Sequence, residues 1–141
     1  MTLSKYIYVD AQYEYTLEII FTTDVKRSLK ALYKKWDLDE EPDDCEACTV
    51  TCQYEDHNDI TKYALVFNVN NLSHNIISHE LLHLACFILD DRNIDLKGGN
   101  DDYENAAWLI GHLTEIVYQA ISKEKYKIKP TAIKAKIKKI G

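Results

Sequence analysis

Between Ser73 and Asp91 the chain carries an almost unbroken apolar run, SHNIISHELLHLACFILDD, in which Ile77, Leu81, Leu84 and Ile88 recur at three- and four-residue steps. That spacing predicts one long helix. A helix apolar almost all round is stable only where other elements cover it, so the run also predicts burial within a domain. Composition points the same way: 46% hydrophobic and 28% charged residues, with four Gly and two Pro in 141 residues, describe one globular domain rather than a disordered or collagenous chain. At this length one core buries about 68% of the surface that the unfolded chain exposes, so neither a disulfide nor a structural metal is needed merely to hold it together.

The elements around this helix follow from pattern. Residues 5–10 and 13–22 are rich in Tyr, Ile, Thr and Phe with partial alternation, as in two paired strands. Thr23 or Asp24 can then cap a helix that places Val25, Leu29, Leu32 and Trp36 on one stripe and Lys26, Arg27, Lys30, Lys34 and Lys35 in water. The segment 37–44, DLDEEPDD, holds six carboxylates and a proline, which ends that helix in a solvated loop. Residues 46–54 and 60–69 read as two more strands joined by the polar hairpin loop Glu55-Asp56-His57-Asn58-Asp59. The second is nearly all apolar from Tyr63 to Val69, as in a strand covered on both faces. A last helix starts after Gly98-Gly99-Asn100, with Asp101, Asp102 and Glu104 in its first turn where acids suit the helix dipole, and runs to about Ile121. The expected architecture is α+β: an antiparallel or mixed four-stranded sheet with a surface helix, a buried helix bearing the histidines, and a second packed helix.

Charge divides the chain in two. The net charge is -6, but residues 123–141 carry eight Lys against one Glu, a charge of +7, which leaves -13 for residues 1–122. We therefore expect a domain over 1–122 and a basic Lys-rich tail over 123–141. An acidic body repels nucleic acid and anionic membrane, so nucleic acid is an expected partner only through the tail. The tail fits either a strand or a short helix through Ile133, Ile137 and Ile140. No stretch reaches the roughly 18 apolar residues of a membrane span, and the N-terminus lacks the order of a secretory signal, so a cytoplasmic location is expected. In a reducing cytosol Cys45, Cys48, Cys52 and Cys86 are free thiols or metal ligands rather than disulfides. Cys45 and Cys48 can begin a second zinc site with Cys52, but only His57 and the distant Cys86 remain to complete it, and a thiol-lined strand pair is the simpler reading.

Set into the apolar helix is His79-Glu80-Leu81-Leu82-His83. Residues four apart lie one above the other on a helix, so the two imidazoles can share one metal ion without backbone distortion. Glu80 is rotated by about 100° from His79, too far to join the same tetrahedron but near enough to hold a water beside the metal. Two histidines and a glutamate are expensive to bury unpaired, and a metal would satisfy them. A catalytic zinc takes three protein ligands and leaves one position open. Glu104, which follows His83 at the start of the next helix, is the best third ligand, with Asp101 and His112 as alternatives. On that helix Glu104, Trp108, Gly111, Glu115 and Tyr118 share a stripe, and Gly111 is placed to allow close approach to the histidine helix.

His79-Glu80-Leu81-Leu82-His83, followed by Asp102-Tyr103-Glu104-Asn105-Ala106-Ala107-Trp108-Leu109-Ile110-Gly111, resembles the HExxH-plus-Glu pattern of gluzincin-type zinc metallopeptidases. More narrowly it is similar to small HExxH proteins of bacteriophages and prophages. The resemblance covers residues 60–121. It implies a zincin-like fold, Zn2+ bound by His79, His83 and Glu104, and Glu80 as general base toward a zinc-activated water that hydrolyses a peptide or protein substrate. In such folds an extended peptide adds to a sheet strand, here expected around Tyr63–Val69, and a phage origin would place the protein in the host cytoplasm. Larger gluzincins carry an Asp four residues after the third ligand, where this chain has Trp108. Asp90 is a substitute for orienting an imidazole, and His112, Tyr103 and Tyr118 are candidates for stabilising the oxyanion. The alternative reading is a non-catalytic zincin scaffold, an inhibitor or adaptor that binds a host factor through the basic tail or the acidic loop.

Overall fold

The computed structural model describes residues 2–52, 61–96, 100–130 and 138–140. Strand β1 (Thr2–Asp10) turns into β2 (Tyr15–Thr22), helix α1 (Val25–Lys35) follows, and then come β3 (Ala47–Cys52), β4 (Thr61–Asn68), α2 (His74–Asp91) and α3 (Asn100–Glu124). The strands form one mixed sheet in the order β1-β2-β4-β3. β1 lies antiparallel to β2, β2 parallel to β4, and β3 antiparallel to β4. The fold is α+β, with a four-stranded mixed sheet and three helices. The expected 55–59 loop, the Gly98-Gly99 turn and residues 131–137 of the tail lie outside the described residues.

Alternation along β2 and β4 builds two cores. Leu17, Ile19 and Phe21 of β2 and Tyr63, Leu65 and Phe67 of β4 face α2 and α3. Ile20, Ala64 and Val66 face the other way, onto α1. Both strands are buried on both faces, which explains their near-continuous apolar character. Burying one Leu or Ile side chain contributes about 1.5–3 kcal/mol, so the double-faced strands hold the layers together. Helix α1 buries the expected stripe of Val25, Leu29, Leu32 and Trp36, and Asp24 caps it by accepting the Arg27 N–H.

The sheet also places a charge where none was expected. Glu18 points toward the α1 side, is buried, and is held by Lys35 at 2.7 Å and Lys5 at 2.9 Å.

Two expectations need correction. Helix α2 is covered on one side only: Ile77, Leu81, Leu84, Ala85 and Ile88 are buried, while His79, His83 and Leu82 face solvent, Leu82 at 56% exposure. In α3 the buried stripe is Leu109, Leu113, Val117 and Ile121 rather than the stripe through Glu104 and Trp108, and nothing lies within 4 Å of where a side chain would stand at Gly111, so that glycine makes no close approach. After α3 the chain does not leave the body at once. Tyr126 and Ile128 pack against the larger core, and the Lys129 N–H donates to the Leu72 carbonyl at 2.7 Å.

Burial pushes the Glu18 carboxyl upward, but the two lysines outweigh it and hold it below the ordinary value of 4.5. A depressed folded-state pKa contributes stability that is present above 4.5 and is lost as pH falls through the folded value. Because both lysines are partly exposed, their contribution is screened. Glu18→Gln is expected to lower stability at pH 7 by about 1–2 kcal/mol. Urea unfolding at pH 7 and pH 3 checks this, with the difference between wild type and variant shrinking at the lower pH.

Candidate functional site

Helix α2 starts where the Ser73 hydroxyl accepts the Ile76 N–H at 3.1 Å. Six residues after that cap, His79 and His83 stand one turn apart on its outer surface. Their Nε2 atoms are 3.1 Å apart and the rings meet edge to face with centroids separated by 4.7 Å. Phe87, one turn further, stacks beside His83. At this separation one imidazole donates its Nε2–H to the bare Nε2 of the other, so the two nitrogens are held together.

Glu80 goes the other way. It is 8% exposed, and its Oε2 accepts the Thr49 hydroxyl of β3 at 2.5 Å, with the same hydroxyl 3.0 Å from the Glu80 carbonyl oxygen. Its Oε1 accepts no protein hydrogen bond among the described residues. Thr49 is the residue that sequence reasoning missed. It alternates with Cys48 and Val50 along β3, so it faces α2 while they face α1, but its pairing with a residue 31 positions later has no local signature.

Helix geometry orders these groups around α2. The His74 Nδ1 is 2.6 Å from the Tyr118 hydroxyl, with stacked rings, which marks the flank toward α3. Glu80 marks the flank toward β3. At about 100° per residue His83 lies roughly 60° from Glu80 and on the far side from His74. The histidine pair therefore belongs to the β3 side of the helix. β3 is an edge strand: it pairs with β4 alone, and no described strand lies on its outer side. The strand expected to receive a peptide, β4, is instead interior, paired to β2 and β3, so its backbone groups are already used.

The other sequence-derived positions are dispersed. Glu104 and Tyr103 are exposed on α3, and no third His, Cys, Asp or Glu joins the histidine pair among the described residues. Asp90 is exposed near the end of α2 and makes no hydrogen bond to either imidazole. His112 bonds the Tyr8 hydroxyl at 2.7 Å, over β1, and Tyr118 is engaged with His74. Only the backbone of Asp101 is described, at the start of α3. His57 lies outside the described residues.

Cys45, Cys48 and Cys86 are free thiols. Burial pushes the Cys45 and Cys48 thiols up, Cys48 to about 12, with nearby acids adding to the effect. Such a thiol is protonated at neutral pH and poorly nucleophilic.

The chain matches no protein-family model, no curated protein and no solved structure. Among the described residues no helix is long and apolar enough to cross a membrane.

In native protein at pH 8, Cys48 is expected to react with iodoacetamide at least about tenfold more slowly than in urea-unfolded protein. Peptide mass spectrometry over a time course measures this; equal rates would show that Cys48 is not held protonated by the fold.

Proposed function

We propose that this protein is a zinc-dependent hydrolase of peptide bonds, of the gluzincin-like HExxH type found in small phage-encoded proteins, with its site between α2 and the edge strand β3. The observation that carries the proposal is the approach of the His79 and His83 Nε2 atoms to 3.1 Å, on a helix whose Glu80, between them in sequence, has its carboxylate tied to that edge. Two nitrogens bound to zinc at 2.0–2.1 Å with tetrahedral angles stand about 3.3 Å apart, close to the separation of the pair. Imidazole suits zinc, and the ring that donates its Nε2–H would carry that proton on Nδ1 instead, which frees both Nε2 lone pairs for the ion.

His79 and His83 would hold the metal, and Glu104 is the third ligand by its place in the sequence. Because Glu104 is exposed and outside the pair, its ligation requires the first turns of α3 to bring it to the histidines. The zinc supplies Lewis acidity, which brings deprotonation of a water into the neutral range. The rest is done by the chain. Glu80 takes the proton of the attacking water on its unbonded Oε1 and returns it to the leaving amine. Thr49 fixes the other carboxylate oxygen, so the base keeps its orientation through both transfers. The outer edge of β3, which pairs with no other strand among the described residues, offers backbone groups to an extended peptide, which would lie along the helix face that carries the histidines.

Metal analysis of protein purified in the presence of zinc is expected to give about one zinc per chain for wild type and Glu80→Gln, and near zero for His79→Ala. Glu104→Gln is expected to weaken zinc at least about tenfold. With a fluorogenic peptide library as substrate, Glu80→Gln should lose at least about 100-fold in rate while keeping its metal. Equal, near-zero zinc in wild type and His79→Ala would end the metal reading. Zinc binding with equal hydrolysis by wild type and Glu80→Gln would end the catalytic one.

A further inference from the structure

A second site lies on the other side of the molecule, where the β1–β2 turn meets α3. A cavity of about 320 Å³ opens there between Asp10, Gln12 and Tyr13 on one wall and Asn105, Trp108 and His112 on the other. Its volume is at the small end of those that take a small ligand.

The chemistry of its walls is one-sided. Asp10 is a buried carboxylate, 7% exposed, built in from the protein side: Oδ1 accepts the Tyr13 N–H at 2.7 Å and Oδ2 accepts the Tyr8 hydroxyl at 2.9 Å. Since the Tyr8 proton goes to Asp10, the Tyr8 oxygen must receive the 2.7 Å hydrogen bond from His112, whose Nε2 therefore carries a proton. The order is His112 to Tyr8 to Asp10, and every donor is spent on holding the carboxylate in place. Burial, with the Asp10 bond second, pushes the Tyr8 hydroxyl up to about 12, so Tyr8 keeps the proton it gives to Asp10. Two bonds leave the carboxylate with lone pairs to spare, because it can accept about four.

Opposite stands Trp108, 75% exposed, a large apolar ring for which no core packing accounts. Among the described residues no Lys or Arg lines the cavity, and the amides of Gln12 and Asn105 can turn either an oxygen or an N–H group to a ligand. A preorganised carboxylate and an open indole on the walls, with His112 3.9 Å from Asp10 and Arg92 held on the Tyr13 carbonyl as the neighbouring bases, favour a cation over an anion in a chain of net charge -6. Of the common organic cations, a guanidinium has the plane to lie on the indole and the fork of N–H groups to bond a carboxylate edge.

We propose that this cavity is a guanidinium-binding site, in which the cation stacks on Trp108 and donates to Asp10. Its occupant is an arginine side chain of a peptide or a free alkylguanidinium. The site shares no residue with the histidine pair and belongs to the metal-free chain, in which the first turns of α3 stand beside the β1–β2 turn, so its test does not require the hydrolase proposal to hold.

The test is calorimetric titration of metal-free protein with n-butylguanidinium, n-butylammonium and n-butylurea, with the Trp108 indole N–H followed by NMR. Saturable binding of butylguanidinium that shifts the indole signal is expected, with butylammonium weaker and the neutral urea at least about tenfold weaker. Trp108→Ala, at an exposed position that leaves the fold intact, should lose at least about fivefold, and Asp10→Asn at least about tenfold. If Asp10→Asn fails to fold, Trp108→Ala and the urea control still decide the matter. No saturable binding, equal affinity for butylurea, or undiminished affinity in Trp108→Ala would overturn the proposal. So would tighter binding of butylammonium, which would reject the guanidinium assignment. The tripeptide Gly-Arg-Gly separates the sources: binding at least as tight as that of butylguanidinium assigns a peptide arginine, and its exclusion assigns a free cation.

Discussion

The parallel pairing of β2 with β4 is the constraint on which the rest of the structure depends. Parallel neighbours cannot be joined by a tight turn, so the chain must cross over between them, and on the way it lays down α1 and the edge strand β3. The pair then needs cover on both faces, because Leu17, Ile19 and Phe21 alternate with Ile20, and Tyr63, Leu65 and Phe67 with Ala64 and Val66. One helix covers one face and two cover the other. With β4 enclosed, β3 and β1 become the edges, and the two sites proposed above lie beside those two edges.

Glu80 is where this architecture turns into chemistry. A carboxylate on the buried side of a helix is a liability unless it meets a donor, and the donor here is a hydroxyl on the neighbouring edge strand. The bond does two things at once: it satisfies the buried charge and fixes the distance between α2 and β3. The approach of helix and strand is thereby set by the same contact that orients the proposed base.

Legibility in the sequence followed the locality of the signal. The stripe Val25, Leu29, Leu32 and Trp36 was readable because apolar and charged residues segregate cleanly around α1. The strands were readable from their composition, and β1 and β2 as a pair, although the parallel contact of β2 with β4 joins residues too far apart to leave a pattern. The buried side of α2 was readable as the stripe Ile77, Leu81, Leu84 and Ile88, but its outer side was not, since apolar residues run almost all round and Leu82 stands in solvent. Glu80 lies at the edge of that stripe, where the Thr49 hydroxyl admits a carboxylate to the buried side. In α3 two stripes compete at the same spacing, and Trp108 favours the wrong one because a tryptophan ordinarily packs inward.

The exposure of His79 and His83 changes what supports a metal there. Burial would have made a metal necessary, to relieve two polar rings in an apolar core. At the surface no such need exists, and isolated imidazoles would be free to point apart into water. They instead converge on each other at a separation close to that of two nitrogens on one zinc ion, with Phe87 stacked beside the second ring. What favours a metal is thus the geometry of the donors rather than the cost of burial, and the spacing that permits that geometry is set by four residues of α-helix rather than by any distant packing. It also supplies only two of the three protein ligands a catalytic zinc requires, so the affinity of the site depends on what α3 contributes, and Glu104 in its first turns is the residue on which that contribution turns.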